Sequence, residues 1–298
     1  MRFDSCHPAI NLLYFVSVIG TTLWFRHPAF LIVSFLCALA YTAKLNGLKG
    51  FVFGLACLPC AAVWTLWYAG YHHFGVTPLR QNFIGNNITL ESLVYGGILG
   101  LSIAAAAVWF SCVHAVFSAD KVVYLFGRIS PHLSLFLAIL LRMVPRIKAQ
   151  GKRIHTAQKA IGRGMGQGNL FRRLKNALRI LSMLITWTAE SFVTSADSMR
   201  CRGLTLKGRT AFSIYRFDNR DRAFVVAIFS ALTLLAAAVL LRQTWVLYDP
   251  RIVLPPVTGF SLIFYGGYAL LCLLPLLVQL ADELRFAQLR RTAFEQPI

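Results

Sequence analysis

The sequence predicts an all-α, polytopic helical membrane protein with about six transmembrane helices and a cytoplasmic pair of amphipathic helices. Of its 298 residues, 57% are hydrophobic and only 14% are charged, whereas soluble domains carry about 25% charged residues. The apolar residues lie in runs long enough to cross a bilayer. The positive charge, by contrast, is concentrated in one internal segment.

The apolar runs define the predicted spans. A helix needs about 20 mostly apolar residues to cross roughly 30 Å of hydrocarbon. The first two candidates are joined only by Arg26-His27-Pro28, so we expect them to be antiparallel neighbours. Residues 72–91 form a longer polar loop. The six predicted spans are 9–25, 29–43, 51–71, 92–117, 222–241 and 257–281.

The distribution of charge predicts the orientation. Residues 146–222 hold 17 of the 30 Lys and Arg residues but only four acids, so they carry 13 of the 19 net positive charges. Cytoplasmic loops of membrane proteins are enriched in Lys and Arg, which predicts cytoplasmic N- and C-termini. We therefore expect anionic lipid headgroups or acidic protein surfaces as partners, and no nucleic acid. The basic residues left outside are Arg26, Arg80, Arg242 and Arg251.

Residues 131–221 are predicted to form a separate region. It lies between N-terminal spans in 1–130 and C-terminal spans in 222–298. Residues 131–146 are apolar but short, which predicts an interfacial or re-entrant helix that Pro145 ends or kinks. Residues 152–165 predict a short amphipathic helix. Ile154, Ile161 and Met165 share its apolar face, and Gly162 and the glycines that follow break it.

Residues 170–202 predict a longer amphipathic helix of about 50 Å. Asn169 is the expected N-cap and Gly203 the expected stop. The apolar residues recur at alternating steps of four and three, a heptad-like stripe typical of a helix that packs on another helix. The stripe consists of Leu174, Leu178, Leu181, Ile185, Thr188, Phe192, Ser195 and Met199.

These two helices resemble the coupling helices of the T component of energy-coupling factor (ECF) transporters, the CbiQ-like family. Each coupling helix of that family ends with an Ala-Arg-Gly-type motif. Segment 196–204 resembles the second motif, with Cys201-Arg202-Gly203 at its core and Arg200 just before it. Segment 153–162 resembles the first, but its core reads Ala160-Ile161-Gly162, and Arg163 follows in place of the missing arginine.

Shorter segments extend the resemblance over nearly the whole chain. Arg142-Met143-Val144-Pro145 is similar to the step before the first coupling helix. His7-Pro8-Ala9 resembles the start of the family's first span. Arg209-Thr210 and the later Asp221 resemble its return to the membrane.

The resemblance implies a membrane-embedded coupling subunit of an importer for vitamins or metal ions in the bacterial plasma membrane. It implies two ABC-type ATPase subunits as partners, docked at the two motifs, and a small substrate-binding membrane protein, the S component. ATP hydrolysis would belong to the partners, and the chain itself would be neither an enzyme nor a cofactor protein. The docking residues would be Ala160, Ile161, Gly162, Arg163, Arg200, Cys201, Arg202 and Gly203.

The residue types suit docking. An arginine at a helix end forms two hydrogen bonds with a carboxylate, and a glycine permits a sharp turn. The alternative is that Arg200 and Arg202 only contribute to the positive-inside bias. For the cluster Arg172, Arg173, Lys175 and Arg179, solvent or anionic lipid headgroups are the expected contact.

Catalytic and metal-binding signatures are missing from the sequence. It has no phosphate-binding loop of the GxxxxGK[ST] type, no HExxH and no GxSxG. Cys57 and Cys60 form a CxxC inside an apolar run, where packing is the expected role. The alternative function is an integral membrane enzyme that acts on phospholipid or isoprenoid headgroups. A self-contained permease is a third, although its spans would be expected to carry polar residues.

Overall fold

The computed structural model describes residues 3–81, 87–127, 130–203, 206, 215 and 217–295. The chain divides into two compact units, one formed by 1–118 with 215–298 and the other by 119–214. The first unit contains α1 (Pro8–Trp24), α2 (Pro28–Tyr71), β1 (Pro78–Gln81), β2 (Asn87–Thr89) and α3 (Leu90–Val116). The second contains α4 (Ala119–Gly127), α5 (Pro131–Ala160) and α6 (Leu170–Cys201), and the first resumes with α7 (Asn219–Leu240) and α8 (Gly259–Glu295).

The helices of the first unit confirm the all-α membrane class. Among the described residues, α2, α3, α7 and Gly259–Gln288 of α8 are long and apolar enough to cross a membrane. Helix α1 is apolar but has only 17 residues. The predicted boundaries of these segments lie within a few residues of the observed ones at most ends. Helix α8 is the exception, because it continues about 14 residues past the predicted span.

Helix α2 contains two of the six predicted spans. Gly47 lies inside it with φ 61° and ψ −147°, a conformation outside the helical region. Beyond this residue the chain runs back along itself, because Gly50 lies against Thr42 and Gly54 against Leu39. In a straight helix, Leu39 and Gly54 would be about 22 Å apart. Residues 28–46 and 48–71 are therefore an antiparallel helix pair, and the first unit contains six apolar helical segments.

A repeated His-Pro-Ala sequence starts the first two helices. His7 and His27 each accept a hydrogen bond at Nδ1 from the backbone N–H two residues later, both at 3.3 Å. The proline that follows each histidine occupies the first helical turn. Backbone N–H groups in this turn have no partner within the helix, so the missing N–H of proline costs no hydrogen bond. The histidine side chain satisfies one of the free N–H groups at the helix start.

Contacts place Lys44 and Arg26, two basic residues of the first unit, at opposite ends of that unit. At one end, which we name the terminal end, Lys44 Nζ lies 2.7 Å from Glu283 Oε2 and the His7 N–H donates to Asp221 Oδ1 at 3.5 Å. At the other, the loop end, the Tyr248 hydroxyl donates to the Arg26 carbonyl at 2.7 Å. This is the sorting that the predicted orientation requires, since Lys44 was expected inside and Arg26 outside.

Buried hydroxyl groups connect the helices inside the first unit. The Thr22 hydroxyl lies 2.8 Å from the Ser34 hydroxyl and 3.1 Å from the Tyr268 hydroxyl. Trp109 Nε1–H donates to the same Ser34 oxygen at 3.0 Å. The chain of contacts satisfies polar groups that would be costly to leave unpaired away from water, and it joins α1, α2, α3 and α8.

The second unit corrects the expected division of residues 131–165. Helix α5 runs without a break from Pro131 to Ala160 and contains Pro145 in its interior. The proline was expected to end or kink an interfacial helix. An internal proline removes one backbone hydrogen bond and its ring crowds the preceding turn, but the residues on both sides of Pro145 remain helical. The helix stops at Ala160 instead of Met165, because the chain turns at Gly162 with φ 75°.

Helices α5 and α6 form an antiparallel pair. The Arg146 guanidinium lies 5.9 Å from the centre of the Trp187 ring, and Gly151 lies against Leu184. Near the turn between the helices, the Asn176 amide donates to the Gly164 carbonyl at 3.2 Å. Asn169 caps α6 as predicted, since its side chain accepts from the Leu170 N–H at 2.8 Å.

Three local features differ from the sequence reading. The predicted loop 72–91 contains the antiparallel strands β1 and β2, and helix α4 was not predicted. The packing role expected for the CxxC holds for Cys57, which packs against the core, but not for Cys60, which is exposed.

Candidate docking site

The predicted docking residues lie at the C-terminal ends of α5 and α6, and the two ends have the same backbone geometry. Ile161 follows the last helical residue of α5 with φ −86° and ψ 7°. Arg202 follows the last helical residue of α6 with φ −84° and ψ 9°. The next residue in each case is a left-handed glycine, with φ 75° at Gly162 and 81° at Gly203. Ile161 and Arg202 therefore occupy equivalent positions.

Hydrogen bonds identify the turn after α5 as a Schellman motif. The Gly162 N–H donates to the Lys159 carbonyl at 3.1 Å, and the Arg163 N–H donates to the Gln158 carbonyl at 2.9 Å. In this motif two carbonyls at the end of a helix regain partners through a left-handed residue, usually glycine. The inner of the two bonds is also present after α6, where the Gly203 N–H donates to the Arg200 carbonyl at 3.0 Å. Residue 204 lies outside the described residues.

The side chains at both helix ends are exposed. Ile161 is 67% exposed, although it was predicted to share an apolar face with Ile154 and Met165. Cys201 and Arg202 are exposed as well, and Gly203 is half-buried. An exposed isoleucine at a helix end has apolar area available for a partner, and removing it from water would be favourable.

The two arginines of the second site differ in their contacts. Arg200 Nη1 lies 3.9 Å from Asp197 Oδ1, one turn earlier on the same helix. Such an exposed pair contributes little to stability. Arg202 forms no ion pair among the described residues. Both positive charges are favoured at a helix C-terminus by the partial negative charge of the last carbonyls. The turn fixes the backbone of Arg202, and its exposed side chain is unpaired within the described part of the chain.

The structure does not bring the two sites together. Because α5 and α6 are antiparallel, the end of α5 lies beside the start of α6, where Gly164 meets Asn176. The second site is at the opposite end of α6, after Cys201. A helical rise of 1.5 Å over the intervening residues places the sites about 40 Å apart. The spacing suits two separate protein contacts.

Most of the apolar residues in the heptad-like stripe of α6 are exposed, which corrects the expectation that the stripe packs on another helix. Ile185, at the middle of the stripe, is 60% exposed. Helix α6 contacts α5 through the adjacent face, which contains Ile180, Leu184 and Trp187. Their spacing of four and three is also helical, so this second stripe was detectable in the sequence. The exposed residues are Leu174, Leu178, Leu181, Ile185 and Phe192.

The two glycines offer a matched test of the turns. Gly162→Ala and Gly203→Ala should each destabilise the protein, because a left-handed conformation costs an L-residue about 1–2 kcal/mol. The two losses should be similar, because Gly162 has open space and the atom nearest a methyl group at Gly203, Leu206 Cδ1 at 2.9 Å, is the end of a flexible side chain. Unfolding temperatures of the purified variants measure this. Gly20→Ala, in open space within a helix, is the control, and a loss there as large would contradict the assignment.

Comparison with known proteins supports the resemblance over part of the chain. A relative from Lactococcus lactis is 34% identical over 97 residues, 32% of this chain and 36% of the relative. A second, from Lacticaseibacillus paracasei, is 37% identical over 93 residues, which are 30% and 34% of the two chains. A third, from Listeria monocytogenes, is 31% identical over 113 residues, 38% and 41%.

The first two relatives are named energy-coupling factor transporter transmembrane protein EcfT, and the third has the same name with EcfT 1. The similarity to the ECF T component that the sequence predicts is thereby confirmed. The matched part of the chain spans only about a third to two-fifths of the length of these relatives. No family model matches the chain.

Proposed function

We propose that the chain is the membrane-embedded coupling subunit of an ECF-type ABC importer. Two ABC-type ATPases dock at the C-terminal ends of α5 and α6, one at each. Closure of the ATPases on ATP moves the two helices, and the movement reorients a small substrate-binding membrane protein that carries a vitamin or a metal ion. The chain takes part in no catalysis, and ATP is hydrolysed by the partners.

One observation carries the proposal: two exposed helix ends of the same geometry, about 40 Å apart, each closed by a left-handed glycine. Two equivalent positions on one chain fit two related partners. The names of the relatives agree with a transport component in a membrane. The exposed apolar stripe of α6 adds a surface that a membrane-embedded partner is suited to cover.

The alternative, an enzyme acting on phospholipid or isoprenoid headgroups, has less support. A metal-dependent phosphotransferase needs several carboxylates around one ion. Two acids of the basic segment have separate contacts among the described residues and do not form one cluster. Asp197 lies beside Arg200, and Asp221 accepts hydrogen bonds from the His7 and Asp218 N–H groups. Within the described part of the chain no group of three His, Cys, Asp or Glu residues is placed to hold a metal ion.

The direct test is to purify the tagged chain from its own membranes in a mild detergent and to identify the proteins that remain bound. We expect two ABC-type ATPase chains and one small membrane protein. The control is the double variant Ile161→Asp, Arg202→Asp, which should insert in the membrane but retain no ATPase. Recovery of the wild-type chain without any ATPase, at a yield that shows intact membrane insertion, would refute the proposal.

The proposed orientation places the docking sites in the cytoplasm of a bacterium, on the same side as both termini. Cys201 is exposed and lies between the docking arginines. In intact cells it should resist a membrane-impermeant maleimide, and it should react in inside-out vesicles stripped of peripheral proteins. The variant Cys201→Ser gives the background from Cys60, the other exposed cysteine. Strong labelling of Cys201 in intact cells would reverse the orientation.

The two docking sites should differ in their dependence on salt. Ile161 has no hydrogen-bond donor in its side chain, so the first site relies on apolar contact, with Arg163 beside it. The second relies on Arg202, whose attraction to an acid weakens as salt screens the charges. We expect 0.5 M salt to release the ATPase at the second site first.

The exchange variants test this asymmetry. Arg202→Ile should make the second contact resistant to salt, and Ile161→Arg should make the first contact sensitive to it. The quantity to measure is the amount of each ATPase retained on the immobilised chain as salt is raised. Loss of both ATPases at the same salt concentration in wild type would show that the sites do not differ.

A further inference from the structure

A cavity of about 570 Å³ lies at the loop end of the first unit, between the ends of α1 and α7. This volume is within the range of roughly 300–1,000 Å³ that is usual for small-molecule sites. Two arginines and two tryptophans are among its lining residues, and no acidic residue is. Its main lining residues are Trp24, Phe25, Arg26, Arg242, Thr244 and Trp245.

Arg242 has an unusual backbone conformation. Helix α7 ends in a Schellman motif, in which the Arg242 N–H donates to the Val239 carbonyl and the Gln243 N–H to the Ala238 carbonyl, both at 3.0 Å. The left-handed position of this motif is filled by glycine after α5, but after α7 it is filled by Arg242, with φ 54°. Among the described residues no other non-glycine residue has a positive φ.

The left-handed conformation is unfavourable for an L-residue with a long side chain. Glycine would satisfy the same two hydrogen bonds without this strain. Strained backbone of this kind is found at ligand sites, where the side chain has a role that offsets it. Arg242 also lines the cavity, so a binding role for its side chain would account for an arginine at this position.

Arg26 is held in place by two tyrosines. Its guanidinium donates to the Tyr95 hydroxyl and lies 5.5 Å from the centre of the same ring. Its carbonyl accepts from the Tyr248 hydroxyl. Burial raises the pKa of Tyr248 to about 12, so this phenol is neutral and does not cancel the charge of Arg26. No ion pair to Arg26 or Arg242 occurs among the described residues, and the cavity has two uncompensated positive charges.

The surroundings of the cavity are those of a membrane interface. Trp24 is 78% exposed and Trp245 is 54% exposed, and Leu240 and Leu241 are exposed beside them. Tryptophan is enriched where the hydrocarbon meets the headgroups. A ligand seated here would meet cations at its polar end and apolar side chains at its other end.

We propose that this cavity binds the phosphate group of a phospholipid from the leaflet at the loop end. Arg26 and Arg242 donate hydrogen bonds to the phosphate oxygens, since guanidinium groups match phosphate geometry with paired donors. Trp24 and Trp245 contact the glycerol and the first carbons of the acyl chains. The bound lipid connects the end of α1 to the end of α7.

The test measures binding to the purified chain and needs no transport assay. The probes are dioctanoyl-phosphatidylglycerol, dioctanoylglycerol, which lacks the phosphate, and inorganic phosphate. We expect the phospholipid to raise the unfolding temperature in a saturable way, with no shift from dioctanoylglycerol. Inorganic phosphate should bind at least tenfold more weakly, because it lacks the apolar contacts. Equal saturation by inorganic phosphate would identify a free-anion site and overturn the lipid assignment.

Three variants distinguish specific binding by the two arginines from non-specific attraction to positive charge. Arg26→Gln and Arg242→Gln should each weaken phospholipid binding by about tenfold or more, the scale expected for losing hydrogen bonds to a charged group. Arg251→Gln is the matched control, since Arg251 is an exposed arginine of the same loop that does not line the cavity. Equal losses in all three variants would show non-specific attraction.

Arg242→Gly distinguishes a binding role from a structural one. Glycine suits the left-handed position, so without lipid this variant should unfold at the same temperature as wild type or higher. It should nevertheless lose the stabilisation by phospholipid. A variant that is less stable without lipid would show that Arg242 supports the fold, and one that still responds fully to phospholipid would remove Arg242 from the site. Either result would overturn the proposal.

Discussion

If ATPases dock as proposed, replacing Arg202 with alanine is expected to release one of them from the membrane chain, while the chain still inserts and folds. Arg202 is exposed and forms no ion pair among the described residues, so its loss removes no contact observed within the chain. If its guanidinium pairs with a carboxylate of the ATPase, alanine leaves that acid buried and unpaired. Breaking a buried pair in this way costs about 3–5 kcal/mol, which is more than a hundredfold in affinity.

Two further variants make this expectation specific. Arg202→Lys keeps the charge but lacks the paired donors of a guanidinium, so it should recover only part of the binding. Arg200→Ala removes the same charge two residues earlier, from a side chain that already lies beside Asp197, so it should lose less ATPase than Arg202→Ala. The readout is the amount of each ATPase retained per inserted chain after purification. Full retention by Arg202→Ala, or equal losses at Arg200 and Arg202, would exclude the forked contact.

The membrane part of the fold was largely predictable from the sequence. Apolar runs of sufficient length have few alternatives to transmembrane helices, and local rules fix where helices start and stop. Asn169 and Gly203 were expected to bound the long helix, and both do. The short run at 29–43 was also interpretable as a span, because Gly47 allows the reversal that turns Pro28–Tyr71 into two antiparallel segments.

The arrangement of the docking region was less predictable. An amphipathic pattern shows that a face is apolar but does not identify what covers it. The stripe containing Ile185 was therefore assigned to helix packing, whereas α6 contacts α5 through the face containing Ile180 and Trp187. Pro145 was expected to end or kink a helix, and the helix does not end there, because the residues on both sides of it are helical. Local preference was overridden by the longer helix.

The candidate docking residues were likewise predictable only in part. The motif alone placed Ile161 and Arg202 at helix ends, because each precedes a glycine that stops a helix. Their separation of about 40 Å depends on the antiparallel pairing of α5 and α6, for which the sequence offered no measure. The exposure of Ile161 likewise depends on which face of α5 meets α6, and an apolar pattern in the sequence does not determine that face.

A contact between α2 and α3 was missed although its sequence signal is simple. Gly96 and Gly100 are four residues apart on α3, the spacing at which small residues let two membrane helices approach closely. A Cβ added at Gly100 would lie 2.7 Å from the Ala61 carbonyl oxygen, and one at Gly96 would lie 3.2 Å from the Thr65 carbonyl oxygen. The backbone of α2 cannot give way at such a point as a flexible side chain can.

Gly100→Ala is therefore expected to destabilise the protein by about 1–3 kcal/mol, the usual effect of overpacking, even though alanine favours helices over glycine. Gly97→Ala is the matched control. It makes the same chemical change three residues earlier, but its methyl group would lie 3.9 Å from Thr65 Cγ2, an ordinary contact. It should be neutral or stabilising. Unfolding temperatures of the two variants in one detergent measure the difference. Equal temperatures would mean that α2 and α3 do not approach at Gly100, and Gly100→Ile should then be tolerated as well.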